Sequence, residues 1–313
     1  MTQVRMAVIG VGQFGKNHMR VIRSLGRAKL VAAVDVDADC AAAAAAQFEC
    51  EAVTDLASLA GKIDAAVVAA PTAAHADIGC RLLAMGIDVL IEKPIAPSID
   101  DARRITDAGI GRIVQIGHLE QFNPAILALR KMVTVPLFFE VHRLSLFTPR
   151  SLDVDVVLDL MIHDIDILLA LTGKMPEEIR AVGISILSRK VDIANVRLAF
   201  PGGCIANLTA SRVSTEQVRK LRLFQPHQYV SLDYSKQEIA VFSVSPRREI
   251  GFVPTPIEKQ EPLRLELESF VDCVITRSEP LVTGAQATLA LQVSLEILAK
   301  IEEHSLVVAQ SLQ

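Results

Sequence analysis

A glycine-rich hexapeptide near the start of the chain limits its possible folds more than any other feature of the sequence. The stretch GVGQFG at residues 10–15 follows the apolar run Val4–Ile9 and opens a helical pattern. In a GxGxxG turn the first glycine allows a tight bend, the second lets the backbone approach a pyrophosphate, and the third lets helix and strand pack closely. The helix N-terminus then offers N–H groups to the phosphates. The sequence therefore predicts a dinucleotide site.

Asp35 supports this interpretation and indicates which dinucleotide is used. It ends the second apolar run, at the spacing where a carboxylate bonds the ribose hydroxyls of the adenosine. A 2′-phosphate would be repelled by this carboxylate, and Val36 and Asp37 offer no Arg or Ser to receive it. We therefore expect NAD as the cofactor, with NADP less favoured.

The pattern of apolar runs divides the chain near residue 118. Up to that point, short apolar runs without alternation are separated by helical stretches, which is typical of a parallel sheet covered on both faces. We predict that residues 1–118 form an α/β dinucleotide-binding domain of the Rossmann type, a doubly wound parallel sheet.

A different pattern follows in the rest of the chain. From Ile179 to Phe242 strand-like segments succeed one another without helices between them, and Pro-Gly-Gly at 201–203 is typical of a hairpin turn. A strongly apolar helix is expected over Val154–Leu171, and two further helices close the chain. We predict that residues 119–313 form an α+β domain with a mostly antiparallel open sheet, and that the closing helices pack back on the first domain.

Composition excludes several classes of protein. Hydrophobic residues make up 51% of the chain and charged residues 22%, which excludes a disordered chain. The net charge of −4 does not indicate a nucleic-acid partner. The longest uncharged runs fall short of the ~18 residues that a membrane crossing requires. Five widely spaced cysteines without a CxxC pair are expected to be reduced and mostly buried, which favours a cytoplasmic location.

Two further segments carry chemically useful side chains. Glu92 and Lys93 lie at the carboxyl end of a buried strand, where ligands of open α/β sheets bind. An otherwise apolar helix carries polar groups at spacings of four, four and three residues, namely Asp155, Asp159, His163 and Asp166. Either group could be purely structural, as a solvated lysine or as a tie between helix and loop. No second histidine stands at ligand spacing, so no metal site is expected.

Together these features resemble the glucose–fructose oxidoreductase/inositol dehydrogenase family, Gfo/Idh/MocA, over essentially the whole chain. The resemblance rests on GVGQFG, APTAAH at 70–75, EKP at 92–94, DLMIHDID at 159–166 and the closing pair of helices. It implies a Rossmann domain followed by an α/β domain whose open sheet commonly serves oligomer contacts, so we expect a homodimer or homotetramer. It also implies oxidation or reduction of a sugar, cyclitol or related carbonyl with a nicotinamide cofactor.

The resemblance assigns roles to individual residues. Lys93 matches a lysine that contacts the substrate hydroxyl and the nicotinamide ribose, His163 matches the acid/base histidine, and Asp159 matches the carboxylate one helical turn earlier. It implies a cis peptide before Pro94. The expected cofactor contacts are Gly10, Gly12, Gln13, Phe14, Gly15, Asp35, Pro71, Thr72, His75, Glu92 and Lys93.

The segment GHLEQFNPA at 117–125 narrows the expected substrate. It is similar to the GHxERFNPA stretch of family members that oxidise the C3 hydroxyl of UDP-N-acetylglucosamine, giving a 3-keto sugar nucleotide that is later aminated for lipid A. Gln121 replaces the usual arginine, so any contact of that arginine with cofactor or diphosphate is lost here. His118 and Asn123 are expected to line the substrate site together with Asp159 and His163, and Arg143 is expected to reach a substrate phosphate.

The resulting expectation is an NAD-dependent oxidation of UDP-N-acetylglucosamine at C3. A dehydrogenase of a free sugar or of inositol is the alternative among enzymes. A non-catalytic protein that binds NAD or a sugar as a sensor is the alternative from another class, because a fold does not dictate a function.

Overall fold

The computed structural model describes residues 3–147 and 154–311, without the side chains of residues 308–311. By its internal packing the chain forms two compact units. The first contains the chain up to Phe122 and the segment Glu261–Thr288, and the second contains Asn123–Gln260 and the chain from Leu289 onward. The domain limits expected from the sequence, 1–118 and 119–313, stay predictions about independently folding parts.

The first unit is built on a parallel sheet with the strand order of a doubly wound Rossmann fold, β3-β2-β1-β4-β5-β6. The strands are β1 (Val4–Ile9), β2 (Ala28–Val34), β3 (Glu51–Val53), β4 (Ala65–Val68), β5 (Asp88–Glu92) and β6 (Val114–Gly117). The helices, numbered along the whole chain, are α1 (Gln13–Ser24), α2 (Ala38–Phe48), α3 (His75–Ala84), α4 (Ile99–Ala108) and α7 (Pro262–Thr276). The fold class predicted for the N-terminal part is confirmed.

The strands of this sheet are largely apolar because helices cover both faces of the sheet. All four residues of β4 are buried, as are five of the six residues of β1, and parallel strands covered in this way contain few polar positions. Val8, Val67 and Leu90 belong to one core with Met19 of α1 and Phe270 of α7. The sequence pattern did not reveal β3, because three residues are too few to show a period.

The second unit contains an eight-stranded sheet in the order β14-β13-β12-β11-β7-β10-β9-β8. Its strands are β7 (Phe138–Leu146), β8 (Glu178–Ile184), β9 (Ile193–Ala199), β10 (Ile205–Ser214), β11 (Val218–Gln225), β12 (Gln228–Asp233), β13 (Glu238–Val244) and β14 (Ile250–Val253). Among the described strands of this second sheet, only the pairing of β7 with β10 is parallel. The predicted mostly antiparallel sheet is confirmed, and β14 is an addition to it.

Three helices accompany this sheet: α5 (Pro124–Arg130), α6 (Ile162–Thr172) and α8, which begins at Gly284 and ends at Ser311. Side chains alternate along the strands, so that Val141, Leu223 and Val230 enter a core that also contains Ile165 and Leu168 of α6.

The opposite face of the sheet carries a row of aromatic side chains. The row consists of Phe138, Phe224, Tyr229, Phe242 and Phe252, with successive ring centroids 5.7, 4.9, 5.8 and 5.6 Å apart. Each ring comes from a neighbouring strand, and cross-strand aromatic pairs of this kind stabilise a sheet. The side chains of Phe224 and Phe252 are 37% and 59% exposed, so part of the row faces outward from the second unit.

The structure corrects two local expectations. The helix expected from Val154 is an α-helix only from Ile162, because the preceding Val157–Met161 segment is a π-helical turn. All five cysteines are free, as expected, but only Cys204 and Cys273 are buried and Cys40 is exposed. The expectation that they are mostly buried is therefore wrong.

A third local expectation is confirmed. In the hairpin between β9 and β10, Gly202 and Gly203 have φ angles of 90° and 87°, a region that favours glycine. Among the described residues, no helix combines the length and the apolar sequence that a membrane span requires.

Candidate functional site

The glycine-rich turn between β1 and α1 has the geometry of a dinucleotide cradle. Gly10 has a φ of +85°, and a Cβ there would lie 2.7 Å from the Ala69 carbonyl oxygen. A Cβ on Gly15 would lie 1.9 Å from the Gly10 carbonyl oxygen. A Cβ on Gly12 would meet no atom within 4 Å, so the space beside Gly12 is open to a ligand. The three glycines therefore fit the three roles that the motif requires.

The start of α1 favours an anion. Gly12 is the N-cap residue, no side chain caps the helix, and no acidic residue lies in its first turn. Helix N-terminal N–H groups without a side-chain cap bind phosphate readily, with support from the helix dipole. Gln13 and Phe14, both expected cofactor contacts, form this first turn, and the Phe14 side chain is 54% exposed.

Asp35 follows β2 and lies beside the same turn. Its Oδ2 accepts a hydrogen bond from the Val11 N–H at 3.0 Å, and its Oδ1 accepts one from the Asp37 N–H at 3.1 Å. The carboxylate is therefore held at the edge of the cradle, where the ribose of a bound dinucleotide is expected. Asp37 in turn caps α2 by accepting from the Asp39 and Cys40 N–H groups, which lowers the pKa of its carboxyl.

Replacing Asp35 with Ser is expected to weaken NAD binding about tenfold or more and to relax the rejection of NADP, because a charged hydrogen bond to the ribose and a repulsive charge are removed together. Fluorescence titrations with both dinucleotides measure the change. Asp35→Asn keeps an acceptor for the Val11 N–H and so separates charge from loop geometry, while Asp39→Ser removes an exposed charge nearby. Tighter binding of NADP than NAD by the unaltered chain would contradict the assignment.

The loops after β4 and β5 are connected through His75. Its Nε2 lies 2.9 Å from the Ala70 carbonyl oxygen and its Nδ1 lies 3.0 Å from the Pro94 carbonyl oxygen. The ring is buried, so His75 acts on these loops from inside the unit. Pro71 and Thr72 lie in the exposed and half-buried start of the first loop. The Lys93–Pro94 peptide is cis, which confirms the prediction from the family resemblance.

Glu92 is the last residue of β5, and its carboxylate contacts a histidine that the sequence pattern did not single out. His18 of α1 is fully buried, and its Nε2 lies 2.7 Å from Glu92 Oε1. Glu92 Oε2 accepts a hydrogen bond from the Lys93 N–H at 3.3 Å. On β6, the facing residue is Gly117, where a Cβ would lie 3.1 Å from the Glu92 carboxyl carbon. The carboxylate is therefore enclosed, and the half-buried Lys93 side chain begins directly beside it.

In the second unit, the π-helical turn carries Asp159 and leads directly into α6 with His163. π-turns occur frequently at functional sites, because one extra residue changes the direction of side chains along the helix. Both side chains are partly exposed. Asp155 lies at the start of this segment, and its Oδ1 accepts a hydrogen bond from the Val191 N–H at 2.8 Å. Asp166 is buried. The four polar residues predicted to share one face therefore differ in environment: Asp166 is buried, Asp155 is partly exposed but bonded to the Val191 N–H, and Asp159 and His163 are partly exposed.

Arg143 lies in a buried ion pair, a placement that does not favour the phosphate contact expected from the sequence. Its Nε and Nη2 donate to the two carboxylate oxygens of Asp164 at 2.7 and 2.8 Å. The two side chains are 3% and 2% exposed, and the guanidinium lies 4.9 Å from the ring centroid of Tyr234. This bidentate arrangement ties β7 to α6 inside the second unit.

The segment 117–125 contains buried polar residues on either side of the boundary between the units. In the first unit, His118 and Gln121 are buried, with exposures of 1% and 3%. In the second unit, Asn123 caps α5: its Oδ1 accepts from the Ala125 N–H and its Nδ2 donates to the Tyr234 carbonyl at 3.0 Å. Asn123 thus has a structural role in its own unit, and the substrate contacts expected of His118 and Asn123 stay predictions.

The described residues do not form a metal-binding cluster. Within residues 3–147 and 154–311, no group of three or more His, Cys, Asp and Glu side chains is arranged to hold a metal ion.

Comparisons with known proteins agree with this geometry. A model described as the oxidoreductase family with an NAD-binding Rossmann fold matches residues 4–118, and a model of the GFO/IDH/MocA C-terminal domain matches residues 136–225. The UDP-N-acetylglucosamine 3-dehydrogenase of Acidithiobacillus ferrooxidans is 32% identical over 314 residues, which is 96% of this chain and 98% of the relative. The scyllo-inositol 2-dehydrogenase (NAD(+)) of Bacillus subtilis is 25% identical over 330 residues, 94% of this chain and 92% of the relative.

A solved structure shows the same fold along nearly the whole chain. The structure of UDP-N-acetylglucosamine 3-dehydrogenase from Acidithiobacillus ferrooxidans superposes with a TM-score of 0.92 at 31% identity, covering 97% of this chain and 99% of that one. The two proteins therefore share one fold, and this chain carries on it the glycine cradle, the enclosed Glu92 and the π-turn before His163. The chain belongs to the Gfo/Idh/MocA family of oxidoreductases with an NAD-binding Rossmann fold.

Proposed function

We propose that this chain is an NAD-dependent dehydrogenase that oxidises the C3 hydroxyl of UDP-N-acetylglucosamine. The observation that carries the proposal is the similarity to the UDP-N-acetylglucosamine 3-dehydrogenase, which extends over 96% of this chain at 32% identity. The inositol dehydrogenases match less well, either at 25% identity over a comparable length or at 31% identity over only 58% of this chain.

Oxidation of an alcohol removes a hydride from carbon and a proton from oxygen. Bound NAD supplies the hydride acceptor, and Gly10, Gly12, Gly15 and Asp35 are the residues that would hold it. The chain must also supply a base within hydrogen-bond reach of the hydroxyl. His163 fits this role because an imidazole can both accept and return a proton.

Lys93 and Asp159 support that proton transfer. An ammonium group at Lys93 polarises the hydroxyl oxygen and stabilises the negative charge that grows on it as the proton leaves. Asp159 precedes His163 by four residues, a spacing at which a carboxylate can orient the imidazole or accept a neighbouring hydroxyl of the sugar. Glu92 keeps the main chain of Lys93 in place through the hydrogen bond to its N–H.

A dehydrogenase acting on a free sugar or on inositol is the second candidate. The burial of Arg143 against Asp164 favours it, because this arginine was the cation expected to bind a substrate phosphate. Gln121, which stands where the sugar-nucleotide enzymes usually have arginine, points in the same direction. A free polyol carries no phosphate and needs neither group.

The two candidates differ in how the protein responds to UDP. If the substrate is a UDP-sugar, UDP should compete with it and stabilise the folded chain by ~2.7 kcal/mol at a UDP concentration of 100 Kd. Differential scanning fluorimetry measures the stabilisation, and NADH absorbance measures inhibition and turnover with UDP-N-acetylglucosamine, myo-inositol and glucose. Uridine, which lacks the diphosphate, is the control. If millimolar UDP neither inhibits nor raises the melting temperature, the polyol candidate replaces the sugar nucleotide.

Other parts of the expected biology stay predictions. These are the role of the product in lipid A synthesis, the cytoplasmic location and the assembly into a homodimer or homotetramer. The partly exposed aromatic row on the sheet of the second unit supplies an apolar surface that such an assembly could cover.

A further inference from the structure

Glu266 of α7 is an acidic side chain buried inside the first unit. It is fully buried, and neither of its carboxylate oxygens has a hydrogen-bond partner among the described residues. An ionised carboxylate in such a place is very costly, because it loses its hydration without gaining a donor. A protonated carboxyl is neutral and avoids most of that cost.

A buried amide lies beside Glu266. Gln115 of β6 donates from Nε2 to the Glu266 main-chain carbonyl at 3.2 Å, which places this amide next to α7. Its Oε1 is buried and has no hydrogen-bond partner in the described part of the chain. The orphaned atoms of Glu266 and Gln115 are thus all oxygens, and a proton on Glu266 would supply the donor they lack.

Glu92 lies on the same face of the sheet as Gln115, because it pairs with Gly117, two residues further along β6, and its carboxyl lies beside the Cβ position of Gly117. The charge of Glu92 therefore acts on Glu266. Burial and the negative charge of Glu92 raise the pKa of Glu266 well above its ordinary value. Burial by itself also raises the pKa of Glu92, but the hydrogen bond and charge of His18, followed by the charge of Lys93, lower it overall. When two carboxyls compete in one buried region, one ionises and the other keeps its proton.

We propose that His18, Glu92 and Glu266 form a buried cluster that carries one proton on Glu266, and that this cluster is a positioning device for Lys93. With Glu266 neutral, Glu92 keeps a single negative charge that is shared between His18 Nε2 at 2.7 Å and the Lys93 N–H at 3.3 Å. Loss of the proton from Glu266 would place a second negative charge, without a hydrogen-bond donor of its own among the described residues, near Glu92 and weaken the hydrogen bond from the Lys93 N–H to Glu92. The positioning role rests on the proposed function of Lys93, whereas the proton on Glu266 does not.

Infrared difference spectroscopy of the full chain tests the proton directly. A protonated carboxylic acid has a C=O stretching band separate from that of a carboxylate, so the unaltered protein should show this band at neutral pH and lose it at alkaline pH. Glu266→Gln should remove the band. Glu268→Gln, which changes a more exposed glutamate of the same helix, should keep it. Absence of the band at neutral pH in the unaltered chain, or its persistence in Glu266→Gln, would overturn the proposal.

The stability of the chain should also depend on this proton. A raised pKa means that the folded chain keeps a proton that the unfolded chain has already lost, so stability falls as pH rises above ~4.3 and until Glu266 ionises in the fold. Thermal unfolding across this range should show a smaller decline for Glu266→Gln than for the unaltered chain and Glu268→Gln. Parallel curves for all three proteins would contradict a proton on Glu266.

Steady-state kinetics test the positioning role. The alkaline limb of the kcat profile should move by ~1 pH unit or more in Glu266→Gln, because that variant cannot acquire the second charge. The limb should stay in place in Glu268→Gln. Loss of the infrared band without any movement of the limb would reject the positioning role and leave Glu266 as a structural acid. A failure of the sugar-nucleotide assignment changes only the substrate of this assay, and the spectroscopic and stability results would stand.

Discussion

Replacing Lys93 with Met, or His163 with Asn, is expected to lower kcat by ~10²-fold or more, while the Kd for NAD changes little. General acid–base catalysis contributes about 10²–10⁴-fold, and stabilisation of a developing oxyanion contributes a similar factor. A group that acts only in the transition state lowers kcat and kcat/KM together when it is removed. Stopped-flow measurement of NADH formation and an NAD titration separate the two quantities.

Matched controls are available on exposed positions. Lys29→Met in β2 and His304→Asn in α8 make the same chemical changes at exposed sites. Both controls are expected to keep turnover within about twofold of the unaltered protein, as is usual for surface substitutions. Near-normal turnover in Lys93→Met or His163→Asn would remove that residue from the mechanism, whichever substrate the chain proves to use.

Replacing Arg143 with Ala is expected to lower the free energy of unfolding of the second unit by about 3–5 kcal/mol, because Asp164 would be left as a buried charge without its bidentate partner. The stacking of the guanidinium on Tyr234 would be lost as well. Chemical denaturation followed by circular dichroism measures the change. This expectation replaces the simple rise in KM that follows if Arg143 binds a substrate phosphate.

Two further variants serve as controls for the stability change in Arg143→Ala. Arg222→Ala breaks a partly exposed pair with Glu140, for which a loss of at most ~1 kcal/mol is expected. The double variant Arg143→Met with Asp164→Leu should recover much of the stability, because a well-packed apolar pair can replace a buried ion pair. A stable Arg143→Ala protein with a raised KM for UDP-N-acetylglucosamine would restore the phosphate role and weaken the polyol candidate.

Local patterns were sufficient to predict the framework of the first unit. The continuous apolar runs of β1 and β4 show both faces of a sheet to be covered, and the glycine spacing fixes the turn between β1 and α1. The cis peptide before Pro94 was predicted from the family resemblance, not from local chemistry. Short segments without a period, such as β3 and β14, could not be recognised because three or four residues fit many patterns equally well.

The burial of Glu266 could have been predicted from the spacing of the apolar residues around it in the sequence. Leu263, Glu266, Leu267 and Phe270 follow the three- and four-residue spacing of one helix face, and all four are buried. A glutamate on an apolar stripe indicates a buried acid. The stripe alone does not reveal that Glu92 and Gln115 are its neighbours, because those residues lie on strands far away in the sequence.

The sequence by itself determined the class of fold, the dinucleotide cradle, the carboxylate beside it and the family to which the chain belongs. These depend on local geometry: a turn that needs glycine, a strand that needs apolar side chains and a fixed spacing to Asp35. Only the tertiary structure decided which polar groups meet. It pairs Arg143 with Asp164, encloses Glu92 between His18 and Gly117, and leaves the carboxyl oxygens of Glu266 without a hydrogen-bond partner among the residues that the structure describes. The partner of a buried charge is set by long-range packing, and no local preference of the chain encodes it.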